Sequence, residues 1–150
     1  MSKEANFAVQ AIGGEIGVTH EFERLNEVFA EDVIDHDSGE GQLPGVMGIE
    51  QYMNGLVESF PDLKLDVDVL MGDEDYVALA YRLSGTHRGE YMGYAPTGKH
   101  FEVRSLQIGR FENGKIKERW GSTDILGILN QLGVLAGNER STTRSTNSPS

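Results

Sequence analysis

A chain of 150 residues, 38% apolar and 25% charged, has the size and composition of one globular domain with a single core. Its net charge of −11, with no basic patch, argues against nucleic acid and anionic lipid as partners. The lack of cysteine excludes disulfides and thiolate chemistry. No stretch approaches the roughly 20 apolar residues of a membrane helix, and the N-terminus lacks a signal-peptide pattern, so a cytoplasmic protein is expected.

In chain order, Phe7, Ala8, Ala11 and Ile12 recur at helical spacing until Gly13-Gly14 interrupts. A second helix is predicted over 19–33, capped by Thr19, with Phe22, Leu25, Val28 and Phe29 on its buried side. Residues 34–45 read as a loop from their glycines, proline and small polar side chains. A third helix follows, carried by Ile49, Tyr52, Met53, Leu56, Val57 and Phe60 and stopped by Pro61.

Beyond Pro61 the period changes to two. Leu63, Leu65, Val67 and Val69 alternate with Lys64, Asp66 and Asp68, as in a half-buried strand. A second strand, 76–87, puts Val77, Leu79, Tyr81 and Leu83 on one face. A glycine-containing connection, 88–99, leads to a third strand over 100–111 and a fourth over 116–124. Asn113-Gly114 between them signals a type I′ hairpin. A short helix covers 124–135. The serine- and threonine-rich residues 137–150 have almost nothing to bury and are expected to be a disordered tail after a single domain, 1–136.

Helices first, then an antiparallel meander, then a short helix make an α+β pattern. In its strongly curved form this is a cone with a mouth and room for a ligand. A regular hairpin sets Glu112 opposite Lys115; further along it sets Gln107 opposite Trp120, Ser105 opposite Ser122 and Val103 opposite Asp124, and these last six share one face. The other face then carries Arg104, Leu106, Ile108 and Arg110 with Arg119, Gly121 and Thr123. A bulge in either strand shifts that register by one. An aromatic wall with a few convergent polar groups suits a small-molecule pocket. Asp124 reads equally as the cap of the last helix or as a working carboxylate. Trp120 reads as core or as pocket wall.

Of the four histidines, His36 stands at a loop entrance and His87 ends a strand; His20 and His100 look like surface or edge residues. Asp35-His36-Asp37 resembles a metal cluster, but no second histidine stands at ligand spacing, so no metal site is expected. His36 and His87 read as substrate-orienting or as hydrogen-bonded structural residues.

The segments VIDHD, GQLPGVMGIEQYMNGLVESFPDL and GTHRGEYMGYAPTGKHFEVRSLQIGRFENGKIKERWGSTDILGILNQLG, within about 19–133, resemble the SnoaL-like polyketide cyclases, or ester cyclases. The resemblance implies the NTF2-like fold, a cone-shaped α+β barrel with helices over a curved sheet, and a homodimer packed sheet to sheet. It implies a cofactor-free intramolecular aldol condensation closing a ring of an aromatic polyketide or a similar carbonyl compound. Asp124 would be the general acid/base. Trp120, Gln107, His36 and His87 would line the pocket, with Tyr52, Met92 and Ser105 as further substrate contacts. One carboxylate can remove a proton next to a carbonyl and return one to the new alkoxide when the reacting atoms are held close. Two departures from the family pattern are GGEIG, which breaks the first helix, and Thr123, where a bulkier residue is usual. Another enzyme on the same scaffold, such as a hydrolase, isomerase or hydroxylase, and a non-catalytic ligand-binding dimer are the alternatives. A pairing of His36 with Asp35 or Asp37 in the pocket would favour the former.

Overall fold

The computed structural model describes residues 2–135, so the predicted tail lies outside the described residues. The architecture is α+β: one curved, open five-stranded sheet with helices on its inner face. The helices are α1 (Lys3–Thr19), α2 (Gly45–Ser59) and α3 (Ile125–Leu132). The strands are β1 (Phe29–Asp35), β2 (Lys64–Gly72), β3 (Tyr76–Thr86), β4 (His100–Glu112) and β5 (Lys115–Thr123), in the order β1-β5-β4-β3-β2. All neighbours run antiparallel except β1 and β5, which are parallel.

Gly13-Gly14 does not interrupt α1, contrary to the sequence reading. Two glycines in a helix cost about 1 kcal/mol each against alanine. The packing of fully buried Ile16 and caps at both ends offset this: Ser2 accepts from the Ala5 amide, and His20 takes the left-handed conformation at the C-terminus.

The predicted second helix is replaced by a 3-10 turn, Phe22–Glu27, and strand β1. A 3-10 turn repeats every three residues, so Phe22, Leu25 and Val28 still share one buried side, and that spacing imitates an α-helix. Phe29 and Val33 are buried from an extended chain instead. Thr19 ends α1 rather than capping a new helix, and its hydroxyl accepts from the Glu21 amide.

Strand β3 matches the prediction, with Val77, Leu79, Tyr81 and Leu83 all buried. Strand β2 departs from it. It is an edge strand with a bulge between Val67 and Val69, and both valines are about half exposed. Asn113 and Gly114 have positive φ, as a type I′ turn requires, and Glu112 pairs with Lys115.

Two residues beyond that turn the predicted register fails. A bulge at Lys117 leaves Phe111 opposite Ile116 but sets Arg110 opposite Glu118, and every later pair is shifted by one. Gln107 therefore pairs with Gly121, Ile108 with Trp120, and Ser105 with Thr123. The inner face carries Ser105, Gln107, Arg119, Gly121 and Thr123; the outer face carries Leu106, Ile108, Trp120 and Ser122. The bulge has a physical cause. A regular hairpin would oppose Arg110 and Lys117, and like charges directly opposite are disfavoured. The shifted register gives Arg110 a 2.6 Å ion pair with Glu118 and sends Lys117 to Asp32.

The core has two lobes. One joins Leu56 and Phe60 of α2 to Leu79, Tyr81 and Leu83 of β3 and to Ile128, Leu129 and Leu132 of α3. The other gathers Ile16, Phe22, Leu25, Val28 and Phe29 around Val77, Phe111 and Ile116.

Candidate functional site

A cavity of about 310 Å³ opens between α2, the 39–42 loop and the connection from β3 to β4. Its walls include Gln42, Gln51, Tyr52, Leu56, Tyr91 and Met92. Loop and helix are held together tightly. The Leu43 amide donates to Gln51 Oε1, and the Gly39 amide donates to Gln42 Oε1. At Gly45 a side chain would collide with the Glu31 carbonyl oxygen, and at Gly48 with that of Leu43. On the far side, the Arg88 and Gly89 amides donate to the Ser59 carbonyl, and the Ser59 hydroxyl donates to that of Glu90. The Tyr91–Tyr94 turn that follows carries Met92 at φ 51° and Gly93 at φ 86°.

Behind this wall, on the inner sheet face, lies a polar cluster. Arg119 donates from Nε to Gln107 Oε1 at 2.9 Å and from Nη1 to Asp35 Oδ1 at 3.0 Å. Gln42 Nε2 donates to Asp35 Oδ2 at 3.2 Å, tying the cluster to the cavity wall. Asp35 and Arg119 have 11% and 17% of their side-chain surface exposed. An ion pair this deep is costly to break from one side only, about 3–5 kcal/mol.

Tyr52 and Tyr91 complete the polar character of the cavity. Tyr52 keeps 40% of its surface exposed, so only partial burial of its phenol, then Tyr81 and Asp35, raises it above its ordinary pKa, and Arg119 opposes. Burial also pushes Tyr91 up to about 12, with Tyr52 adding to it. A phenol is protonated at neutral pH even without such shifts, so both hydroxyls are available as hydrogen-bond donors.

The predicted site residues separate into four groups. Tyr52 and Met92 line the cavity, and Gln107 is in the polar cluster behind it. Ser105 and His87 are fully buried. Ser105 is hydrogen-bonded to the Thr123 hydroxyl. His87 Nδ1 accepts from the Thr97 amide, which puts the proton on Nε2; that atom is buried with no partner among the described residues.

Trp120 and His36 are not in the pocket, and the reading that placed them there is corrected. The bulge turns Trp120 to the outer face, where His36 stacks on it with centroids 4.7 Å apart and planes 10° from parallel. His36 Nε2 meets Glu118 Oε2 at 3.0 Å. That bond, then the one from Arg110, holds the Glu118 carboxyl below the ordinary carboxylate range. Because His36 points outward and Asp35 inward, the two form no pocket dyad. Asp124 is exposed and caps α3, its Oδ1 accepting from the Gly127 amide at 2.8 Å. It faces neither Val103 across the sheet nor the 310 Å³ cavity.

Sequence reasoning missed Arg119, Gln42 and Tyr91, and saw Asp35 only as a partner for His36. The charge conflict between Arg110 and Lys117 was the signal that could have corrected the register and brought Arg119 inward.

The sequence profile of the SnoaL-like polyketide cyclases matches residues 13–132. Over 59 residues the chain is 37% identical to the aklanonic acid methyl ester cyclase AcmA of Streptomyces galilaeus; the match spans 39% of this chain and 41% of that enzyme. IdmH of Streptomyces antibioticus, a candidate polyketide cyclase, superposes with a TM-score of 0.75 at 30% identity, over 86% of this chain and 99% of IdmH. AclR of Streptomyces galilaeus, a candidate hydroxylase, gives 0.75 at 27% identity, over 85% and 80%. TsrD of Streptomyces laurentii gives 0.82 at 20% identity, over 90% and 99%, a likeness of fold.

Proposed function

The chain belongs to the SnoaL-like polyketide cyclase family, and from that premise we propose that it closes a ring in an aromatic polyketide or similar carbonyl compound by cofactor-free acid/base catalysis. The observation that carries this reading is the match of the family over 13–132, joined by a cavity whose donors are phenols and amides. A base removes the proton next to one carbonyl. The resulting enolate carbon attacks a second carbonyl of the same molecule, and the alkoxide formed takes up a proton. Atoms and charge balance without a redox partner. Tyr52 and Tyr91, protonated at neutral pH, would donate to carbonyl oxygens, and the cavity walls would hold the two reacting carbons near each other.

Asp124 is the proposed acid/base on the family resemblance alone: it stands outside the 310 Å³ cavity, so the substrate would extend beyond that cavity to meet it. Its Oδ1 is taken by the helix cap, whereas Oδ2 carries no hydrogen bond among the described residues. Aklanonic acid methyl ester, the compound in the name of the related cyclase, is the first substrate to assay. Asp124→Asn is expected to lower turnover at least about 100-fold with little change in melting temperature, because asparagine caps a helix as well as aspartate. Undiminished turnover in Asp124→Asn, with loss in Asp35→Asn, would move the acid/base role to the inner face.

The proposed assembly is a homodimer through the outer sheet face. Leu106, Ile108, Tyr76 and Met71 are 42–59% exposed there beside Trp120, a contiguous apolar patch of the kind that protein partners cover. Among the described residues no helix is long and apolar enough to cross a membrane.

A further inference from the structure

The geometry points to Arg119 as an oxyanion-binding group on the inner sheet face behind the cavity wall, taking the ionised oxygen of an enolic or phenolic aromatic ligand. This rests on the ring-closure reading for the ligand class but not for the acid/base residue. Four observations carry it.

The guanidinium is fixed by Gln107 on Nε and Asp35 on Nη1, while its third nitrogen, Nη2, has no hydrogen bond among the described residues. Nη2 is not completely buried: it is absent from the buried unpartnered atoms, and 17% of the Arg119 side chain remains exposed. The group lies directly behind the cavity wall, because Gln42 of that wall holds Asp35, and the Tyr52 phenol senses the charges of both Arg119 and Asp35. Finally, the strand makes room for it. A Cβ at Gly121 would overlap Nη2 and come within 2.7 Å of Cζ, so the guanidinium occupies the space a side chain at 121 would fill.

A donor held on two sides and free on the third is preorganised for charge that develops during reaction. As the carbon–carbon bond forms, the carbonyl π electrons move to oxygen, and Nη2–H meets the alkoxide. Asp35 balances the resting charge, so the cluster is stable when no anion is bound. Lysine could not replace the fork, since it lacks the planar set of donors.

The test uses 1,2-dihydroxyanthraquinone, whose visible absorption moves to longer wavelength when a phenol ionises. Bound to the wild-type protein, the dye is expected to ionise at least about one pH unit below its free value. In Arg119→Gln and Gly121→Ala the bound dye is expected to ionise at or above the free value. Gly121→Ala is the safer variant, because it displaces only the flexible end of Arg119; circular dichroism checks that both variants fold. Equal lowering of the ionisation in wild type and folded variants would overturn the role of Arg119, as would binding to the wild type with no lowering. Failure of the wild type to bind the dye would overturn the ligand class, and this inference with it.

Discussion

A methyl group at position 48 would overlap the carbonyl oxygen of Leu43. Gly48 is buried in the first turn of α2, and the close approach it permits keeps the 39–43 loop against the helix. Gln42 depends on that approach. From this loop it reaches Asp35, and through Asp35 it is coupled to Arg119. Gly48→Ala is therefore expected to destabilise the fold by about 2–4 kcal/mol, read by urea denaturation. It should also weaken ligand binding, because one wall of the cavity moves with the loop. An unchanged denaturation midpoint would show that the loop yields freely. Arg119 and Trp120 show the same economy at single-residue scale: neighbours in sequence, they point to opposite faces, one into the polar cluster and one against His36.

At the scale of elements, α3 is a short helix whose start rests on one side chain. Replacing Asp124 by alanine removes the bond to Gly127 and is expected to cost about 1 kcal/mol, whereas asparagine should cost a few tenths. Thermal melts of both variants separate the cap from the chemistry, since both remove the carboxylate but only alanine removes the cap. A melting curve for Asp124→Ala superimposable on the wild type would show the bond to be dispensable. The elements differed in how readable they were. Alternation in β3, the Asn113-Gly114 turn and the i, i+3, i+4 stripe of α2 each have one period and one explanation, so they were legible. Strand β1 was not, because the 3-10 turn before it repeats at nearly helical spacing, and its partner β5 lies some 80 residues on. The site was half legible. Tyr52 and Met92 were reachable only through the family resemblance, whereas the inward face of Gln107 also follows from alternation along β4. Trp120 was misplaced by a single bulge, which depends on a cross-strand charge conflict rather than on any local propensity.

On the scale of the whole molecule, the two sheet faces carry different chemistry. The inner face closes around the core lobes and the polar cluster. The outer face leaves Leu106 and Ile108 about half exposed beside Trp120. In the proposed homodimer, two chains of net charge −11 would meet through this apolar patch, which lets them approach without opposing their like charges at its centre. Ile108→Glu is expected to convert the proposed homodimer to monomer, measured by light scattering at micromolar concentration, without loss of secondary structure. A wild-type protein that is monomeric at the same concentration would reject the dimer. The bulge at Lys117 reaches beyond both faces, into how such a scaffold diversifies. If β5 instead paired regularly from the turn, with no residue lost, Arg110 would face Lys117 and Trp120 would replace Arg119 on the inner face. A slip of register by one residue would thus trade a cationic floor for an indole one. On a sheet built this way, the pairing at the hairpin decides which of two neighbouring side chains a ligand would meet.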